Sequence, residues 1–286
     1  MARQAVIAPE IADLLDGTLY VAVAPRGRQR PSARQLIGLI LPPIVAVAVG
    51  LTIWELWVTL RDVPEYLVPT PSAVAKTLAS DPSRFAVAGR TTLIHALGGL
   101  AIGAGSAFVL ATVMAHSRML ERAIYPLAIL VKVTPIVAVA PLIIIWFGFG
   151  IWSKFIVAAL ITFFPMLVNA VTGLRAIDPA AYAFMRSLHA SRWQLFWRLR
   201  LPASLPYVFA ALRISVPLAL IGAVVAEWVS ADSGTGQLIV IAHGDFDTPA
   251  LFGAIVVLAI IGISLTAVVF ALERRLLFWH ESADGP

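Results

Sequence analysis

The chain has 286 residues, 60% of them hydrophobic and 13% charged, with a net charge of +5 and no cysteine. Soluble chains carry roughly 45–50% apolar and about 25% charged residues, so at a mean hydropathy of +0.89 the composition reads as an integral membrane protein rather than a soluble enzyme. The absence of cysteine excludes a disulfide scaffold, thiolate metal sites and cysteine nucleophiles, and the positive charge points to lipid headgroups and topology rather than nucleic acid, because all but three basic residues lie outside the apolar runs.

Residues 1–35 form a polar extension with Glu10, Asp13 and Asp16 ahead of a basic cluster at Arg26, Arg28, Arg30 and Arg34. No compact apolar run precedes that cluster, so a cleaved signal peptide is not expected; one short helix is expected near 11–15. The first apolar run, 36–60, is long enough to span a bilayer and carries Pro42, Pro43 and Glu55. A polar connection follows at 61–90, in which 71–85 reads as an interfacial helix capped by Ser72.

The second span, 91–115, contains Gly99 and Gly103, a spacing that lets two helix backbones approach closely. The third, 123–147, holds Lys132 and three prolines, Pro126, Pro135 and Pro141. A helix interrupted in this way borders a cavity, where freed backbone groups find partners, and Lys132 and Pro135 are therefore pathway residues. The fourth span, 151–174, has Lys154 near its start, and Asn169 further on either lines a path or bonds a neighbouring helix. A cytoplasmic loop at 175–206 precedes the fifth span, 207–229, which carries Arg213 and Glu227; a loop at 230–249 leads to the sixth, 250–272, and a tail at 273–286.

The segments on the N-terminal side of the membrane hold fourteen Lys and Arg, against four on the other side. Both termini are therefore expected in the cytoplasm, around a six-helix, all-α domain at 36–272. Arg213 is expected to snorkel to the cytoplasmic interface. Lys132, the deepest cation, either snorkels or contacts an anion. Glu55, Lys154 and Glu227 fall near outer helix ends, where Lys154 pairs with one of the carboxylates or all three form a polar mouth. None of the three lysines follows a glycine, so no P-loop is present, and no HExxH motif occurs. Neither an enzymatic site nor a metal site is expected.

The loop from Asp178 to Arg213 has helical periodicity in its first half: Met185, Leu188, Trp193 and Phe196 share an apolar side, and Arg186, Arg192 and Arg198 face elsewhere. Leu201-Pro202 and Pro206 are expected to end that helix before the fifth span. Such a unit lies on lipid or docks into a partner's groove.

This loop resembles the cytoplasmic motif of ABC importer permeases, Glu-Ala-Ala, then three residues, Gly, then nine residues and Ile-x-Leu-Pro. Here Leu199-Arg200-Leu201-Pro202 falls at that spacing, with Ala183-Phe184-Met185 in the Glu-Ala-Ala slot and His189 in the Gly slot. The run from Thr134-Pro135 to Pro141, Ile145 to Gly148, Phe164-Pro165, Gly173-Leu174-Arg175, Leu212-Arg213 to Ala226-Glu227, and the ending Leu272 to Arg275 before Trp279-His280 are similar to the nitrate, sulfonate, taurine and thiamine-precursor branch. The resemblance implies a multi-pass protein of the bacterial cytoplasmic (inner) membrane. It implies two partner ATPase subunits that hold ATP and magnesium, a second permease copy, and an extracytoplasmic solute-binding protein. It also implies a coupling helix whose ATPase contacts are Ala183, Arg186, Ser187, Leu188, His189, Ala190, Ser191, Arg192 and Leu195, and a pathway drawn from Lys132, Pro135, Asn169 and Glu227. The solute is then a sulfonate, taurine or nitrate-like anion, a thiamine-precursor or riboflavin-like heterocycle, or an aromatic carboxylate. The alternative is an ion-coupled secondary transporter, which requires an inverted repeat and a buried carboxylate or ion site.

Overall fold

The computed structural model describes residues 33–277, and every regular element among them is helical. The expected short helix near 11–15 and the similarity at Trp279-His280 lie outside the described residues. The chain divides at Ile53–Trp54. The helix that crosses this division, α1 (Ala33–Leu60), holds Pro42 and Pro43 within it, and residues 41–53 are exposed along its whole turn. Apolar side chains exposed all round a helix suit a lipid environment.

From Trp54 onward the elements are α2 (Pro71–Ser80), α3 (Pro82–His116), α4 (Arg118–Val133), α5 (Ile136–Phe147), α6 (Ile151–Arg175), α7 (Pro179–Ser187), α8 (Arg192–Leu195), α9 (Leu201–Ser230), α10 (Gly234–Gly244) and α11 (Thr248–Leu276). The centre is built from α3 and α9 packed on α6. Glycine makes that packing possible: a Cβ on Gly99 would lie 2.9 Å from the Phe155 carbonyl oxygen, one on Gly103 2.5 Å from that of Ala159, and one on Gly222 2.7 Å from the Ala158 Cα. Towards the far end of α3, Met114, Met166, Leu167 and Leu174 fill the interior. A second cluster of Phe85, Leu238, Ala250 and Ala254 joins α3, α10 and α11.

Among the described residues, five helices are long and apolar enough to cross a membrane: Leu41–Leu60, Pro82–His116, Ile151–Arg175, Arg192–Ser230 and Thr248–Leu276. A sixth crossing exists only if α4 and α5 count as one, and they meet at 99°. Of the three prolines expected to interrupt this region, only Pro135 does so; Pro126 and Pro141 lie inside α4 and α5. Thr134, forced out of the helical region by the ring that follows it, sits at φ −74° and ψ 122°.

Four expectations need correction. The expected interfacial helix, α2, is capped by Thr70, not Ser72, and ends at Ser80. Asp81 then accepts the Arg84 N–H at 3.0 Å and starts α3 at Pro82, nine residues before the expected span. The stretch 230–249 is not a bare loop, since it contains α10. Pro202 and Pro206 do not end the loop helix. The backbone widens into a π-helical turn at Phe196–Arg200, in which the Leu201 N–H reaches the Phe196 carbonyl, and helix continues unbroken from Arg192 to Ser230. A proline removes one N–H and crowds the preceding turn; a wider turn accommodates both changes without a break.

Candidate functional site: a docking loop, a kink cavity and a buried carboxylate

The loop after α6 consists of two short helices with a tight turn. Asp178 caps α7 by accepting the Ala180 N–H at 2.9 Å, with Pro179 in the first turn. The helix closes in a Schellman arrangement: the Ala190 N–H reaches the Met185 carbonyl at 3.1 Å, and the His189 N–H reaches that of Arg186 at 3.0 Å. His189 is the left-handed residue of this turn, with φ +57°. Ser191 then opens α8 with a capping box, accepting the Gln194 N–H at 3.2 Å while the Gln194 side chain accepts the Ser191 N–H at 2.8 Å.

Ala183, Arg186, Ser187, Leu188, His189, Ser191 and Arg192 are exposed, and Ala190 is half-buried. Leu195, by contrast, is buried and anchors α8 inward. The expected apolar side is divided. Met185 and Phe196 are half-buried, whereas Leu188 and Trp193 stand out in the open with Phe184 and Trp197, which sequence reasoning missed. Trp193 stacks on Phe196 with ring centroids 6.2 Å apart and meets Trp197 edge-on at 5.4 Å. The result is an aromatic surface bordered by arginines. Two further arginines tie the loop to the end of α3: Arg175 bonds the Met114 carbonyl at 3.0 Å and the Glu121 carboxylate at 2.7 Å, and Arg200 reaches the Ala115 carbonyl at 3.4 Å.

At the α4–α5 kink lies a cavity of about 450 Å³, lined by Lys132, Thr134, Pro135, Leu160, Phe164 and Leu218 among others. Lys132 and Pro135 are thus brought together as expected. The Lys132 ammonium lies 4.8 Å from the centre of the Phe164 ring, a cation–π contact, and Lys132 has no ion-pair partner among the described residues. The Thr134 hydroxyl donates to Leu130 O at 2.8 Å. Asn169 does not join this cavity or a neighbouring helix; its amide donates to the Pro165 carbonyl of its own helix at 2.8 Å.

Glu227 lies apart from the cavity, fully buried. Its carboxylate accepts from Thr92 Oγ1 and from the Gly236 N–H, each at 2.9 Å, and pairs with His95 Nδ1 at 2.7 Å. Thr235 closes the ring through Thr92. The α10 entry lies tightly over this group: Gly234 has φ +85°, and a Cβ on Gly236 would lie 2.6 Å from the Glu227 Cβ.

The expected pairing of Lys154 with Glu55 or Glu227 is replaced by a bond to Asp232 at 2.7 Å. Burial opposes ionisation of Asp232, but hydrogen bonds from Lys154 and Ser230 outweigh it and hold its carboxyl below the ordinary value. Glu55 instead accepts from the Ser72 N–H and hydroxyl, at 3.0 and 2.7 Å. Arg213 does not simply snorkel: its guanidinium binds Glu273, with Nε–Oε2 at 2.7 Å, and covers the Phe270 ring. The side-chain partners of Glu227 and Lys154, namely Thr92, His95 and Asp232, are distant in sequence, and the one local signal was the Gly234-x-Gly236 pair beside Asp232.

Residues 92–278 match the family described as binding-protein-dependent transport system inner membrane component. A riboflavin transport system permease protein of Chloroflexus aurantiacus is 39% identical over 263 residues, 90% of this chain and 98% of the relative. A formylaminopyrimidine transport permease protein of Halalkalibacterium halodurans is 36% identical, over 84% of this chain and 96% of its own. A putative aliphatic sulfonates transport permease protein of Bacillus subtilis is 30% identical, over 94% and 98% respectively.

Proposed function

Since this chain belongs to the family of binding-protein-dependent transport system inner membrane components, we propose that it is the permease subunit of an ATP-driven importer, in which a second copy completes the path and two ATPase subunits grip the 175–206 loop from the cytoplasm. An extracytoplasmic binding protein delivers the solute to the opposite face. ATP and magnesium belong to the ATPase subunits. The bias of Lys and Arg supports this orientation, with the loop and both termini inside.

One observation carries the reading above the others. The docking surface and the fifth span are a single helix of 39 residues, Arg192–Ser230. At 1.5 Å per residue this rod is about 58 Å long, against a hydrocarbon core of about 30 Å. Its cytoplasmic end projects from the bilayer, so an ATPase movement against Arg192, Trp193 and Trp197 passes into the bundle as a rigid-body motion. Alternating access needs such a two-state element with a bias from ATP.

The kink cavity is the section of the path this chain supplies. Its ring-and-cation pair, Phe164 and Lys132, suits a small solute that is anionic or a flat heterocycle. The permease names of the relatives fall into both classes, heterocycles such as riboflavin and anions such as sulfonates. For the ion-coupled alternative, two carboxylates are buried among the described residues, Glu227 and Glu273; three protein groups already occupy the first and the Arg213 guanidinium binds the second, which supports structural pins rather than an ion site.

The test is copurification with the ATPase, together with solute uptake in cells. Arg192→Asp is expected to abolish ATPase capture and uptake while the permease inserts normally. Capture and uptake at the unmodified level would remove the docking surface from the proposal.

A further inference from the structure

On the side of α3 away from the buried carboxylate, α2, α3 and α11 border an open groove of about 350 Å³. Its walls are Leu78, Phe85, Ala86, Leu93, Val257 and Ile261, and its one charged residue is Arg90. The groove exists because Gly89 lets α3 and α11 close together beneath it, where a Cβ would lie 2.8 Å from Val257 Cγ1. Arg90 is exposed, and its side chain makes no hydrogen bond or ion pair among the described residues. Arg175 and Arg213, by contrast, each bind a carboxylate.

Depth decides what can answer this charge. α3 has 35 residues, about 52 Å at 1.5 Å per residue, so it exceeds a hydrocarbon core of about 30 Å. Arg90 lies about 12 Å from its first residue, near the boundary between hydrocarbon and headgroups. Side chains on a helix lean towards its N-terminus, which here directs the Arg90 guanidinium away from the membrane centre and towards headgroup level. Val257 packs level with Gly89, and one turn further along the groove Leu93 and Ile261 lie deeper and are wholly apolar. A cation at phosphate depth above an apolar channel is complementary to one kind of molecule, an amphiphile with a phosphate head and a hydrocarbon tail.

We propose that the groove holds one phospholipid, with its phosphate on the Arg90 guanidinium and an acyl chain along Leu93, Val257 and Ile261. Guanidinium and phosphate oxygens match as a bidentate, charge-assisted pair. In the orientation proposed above the lipid belongs to the outer leaflet, at the end of the molecule that faces the binding protein.

Native mass spectrometry of the full-length permease, released from nanodiscs of phosphatidylethanolamine and phosphatidylglycerol, tests the assignment. The unmodified protein is expected to retain one phospholipid per copy. Arg90→Gln is expected to lower that occupancy about tenfold, the scale of one lost charge-assisted contact, whereas Arg90→Lys keeps most of it. Ala86→Trp, at an exposed position, fills the groove and is expected to remove the lipid without changing elution on size exclusion. Arg84→Gln, on another side of α3, is the control and leaves retention unchanged. Equal retention in the unmodified protein, Arg90→Gln and Ala86→Trp would overturn the assignment, as would a second copy of the chain crosslinked through position 86. The readout needs no transport, so its failure leaves the importer reading intact.

Discussion

His189 holds a left-handed backbone angle, φ +57°, in the turn that joins α7 to α8. An ordinary side chain enters that region at a cost of about 1–2 kcal/mol, and glycine enters it freely. The importer motif places glycine at this position, and the Schellman geometry gives the reason. His189→Gly is therefore expected to stabilise the loop by about 1 kcal/mol and to leave uptake intact, as thermal unfolding in detergent and cellular uptake will show. Glu227 is the opposite case. Replacing it by Ala strands the Thr92 hydroxyl, His95 and the Gly236 N–H in a dry interior, at an expected loss of about 3 kcal/mol or more. The Asp232–Lys154 pair has a pH signature. Because the folded carboxyl is depressed below 3.8, the pair contributes fully above that value, and its contribution is lost as pH falls through the depressed one. Melting temperature in detergent is expected to fall below about pH 4, and Asp232→Asn to flatten that acid limb while lowering stability at neutral pH. Sequence reading found Glu227 and Lys154 but not their partners, which lie across helices that only the fold brings together.

At the scale of elements, legibility followed length. Apolar runs of 20 or more residues announced themselves, and Gly99 and Gly103 marked the face on which α3 would seat. The α10 helix escaped because its eleven residues are too few for a span and are punctuated by Gly234, Gly236 and Gly244. Pro202 and Pro206 misled for a different reason: one π-helical turn absorbs the backbone change that usually ends a helix. The glycine pattern yields a paired prediction. Gly103→Val drives a side chain into the Ala159 backbone, so a penalty of about 3 kcal/mol or more and loss of the monodisperse peak on size exclusion are expected. Gly105→Val, at a position with nothing within 4 Å of the added carbon, is expected to elute as the unmodified protein does. If both variants elute normally, the α3–α6 seam does not depend on close backbone approach.

For the whole molecule the proposed importer raises the question of how an ATPase outside the membrane would move a path inside it. The π-helical turn at Phe196–Arg200, which carries Trp197, lies between Trp193 and the buried bundle, where in the proposed importer any thrust on α8 must pass. Arg175 and Arg200 fasten the same region to the end of α3, so in the proposed importer the loop would push on α3 and α9 together. Gly-Gly inserted between Arg200 and Leu201 breaks the rod while leaving the α7–α8 surface unchanged in composition. In proteoliposomes containing the complete importer, this variant is expected to bind the ATPase subunits as before and to hydrolyse ATP, yet to accumulate little solute. Docking through α7–α8 without mechanical continuity predicts that separation of hydrolysis from uptake. If accumulation survives the insertion, force reaches the path through another contact, and the Arg192–Ser230 helix is a tether rather than a lever.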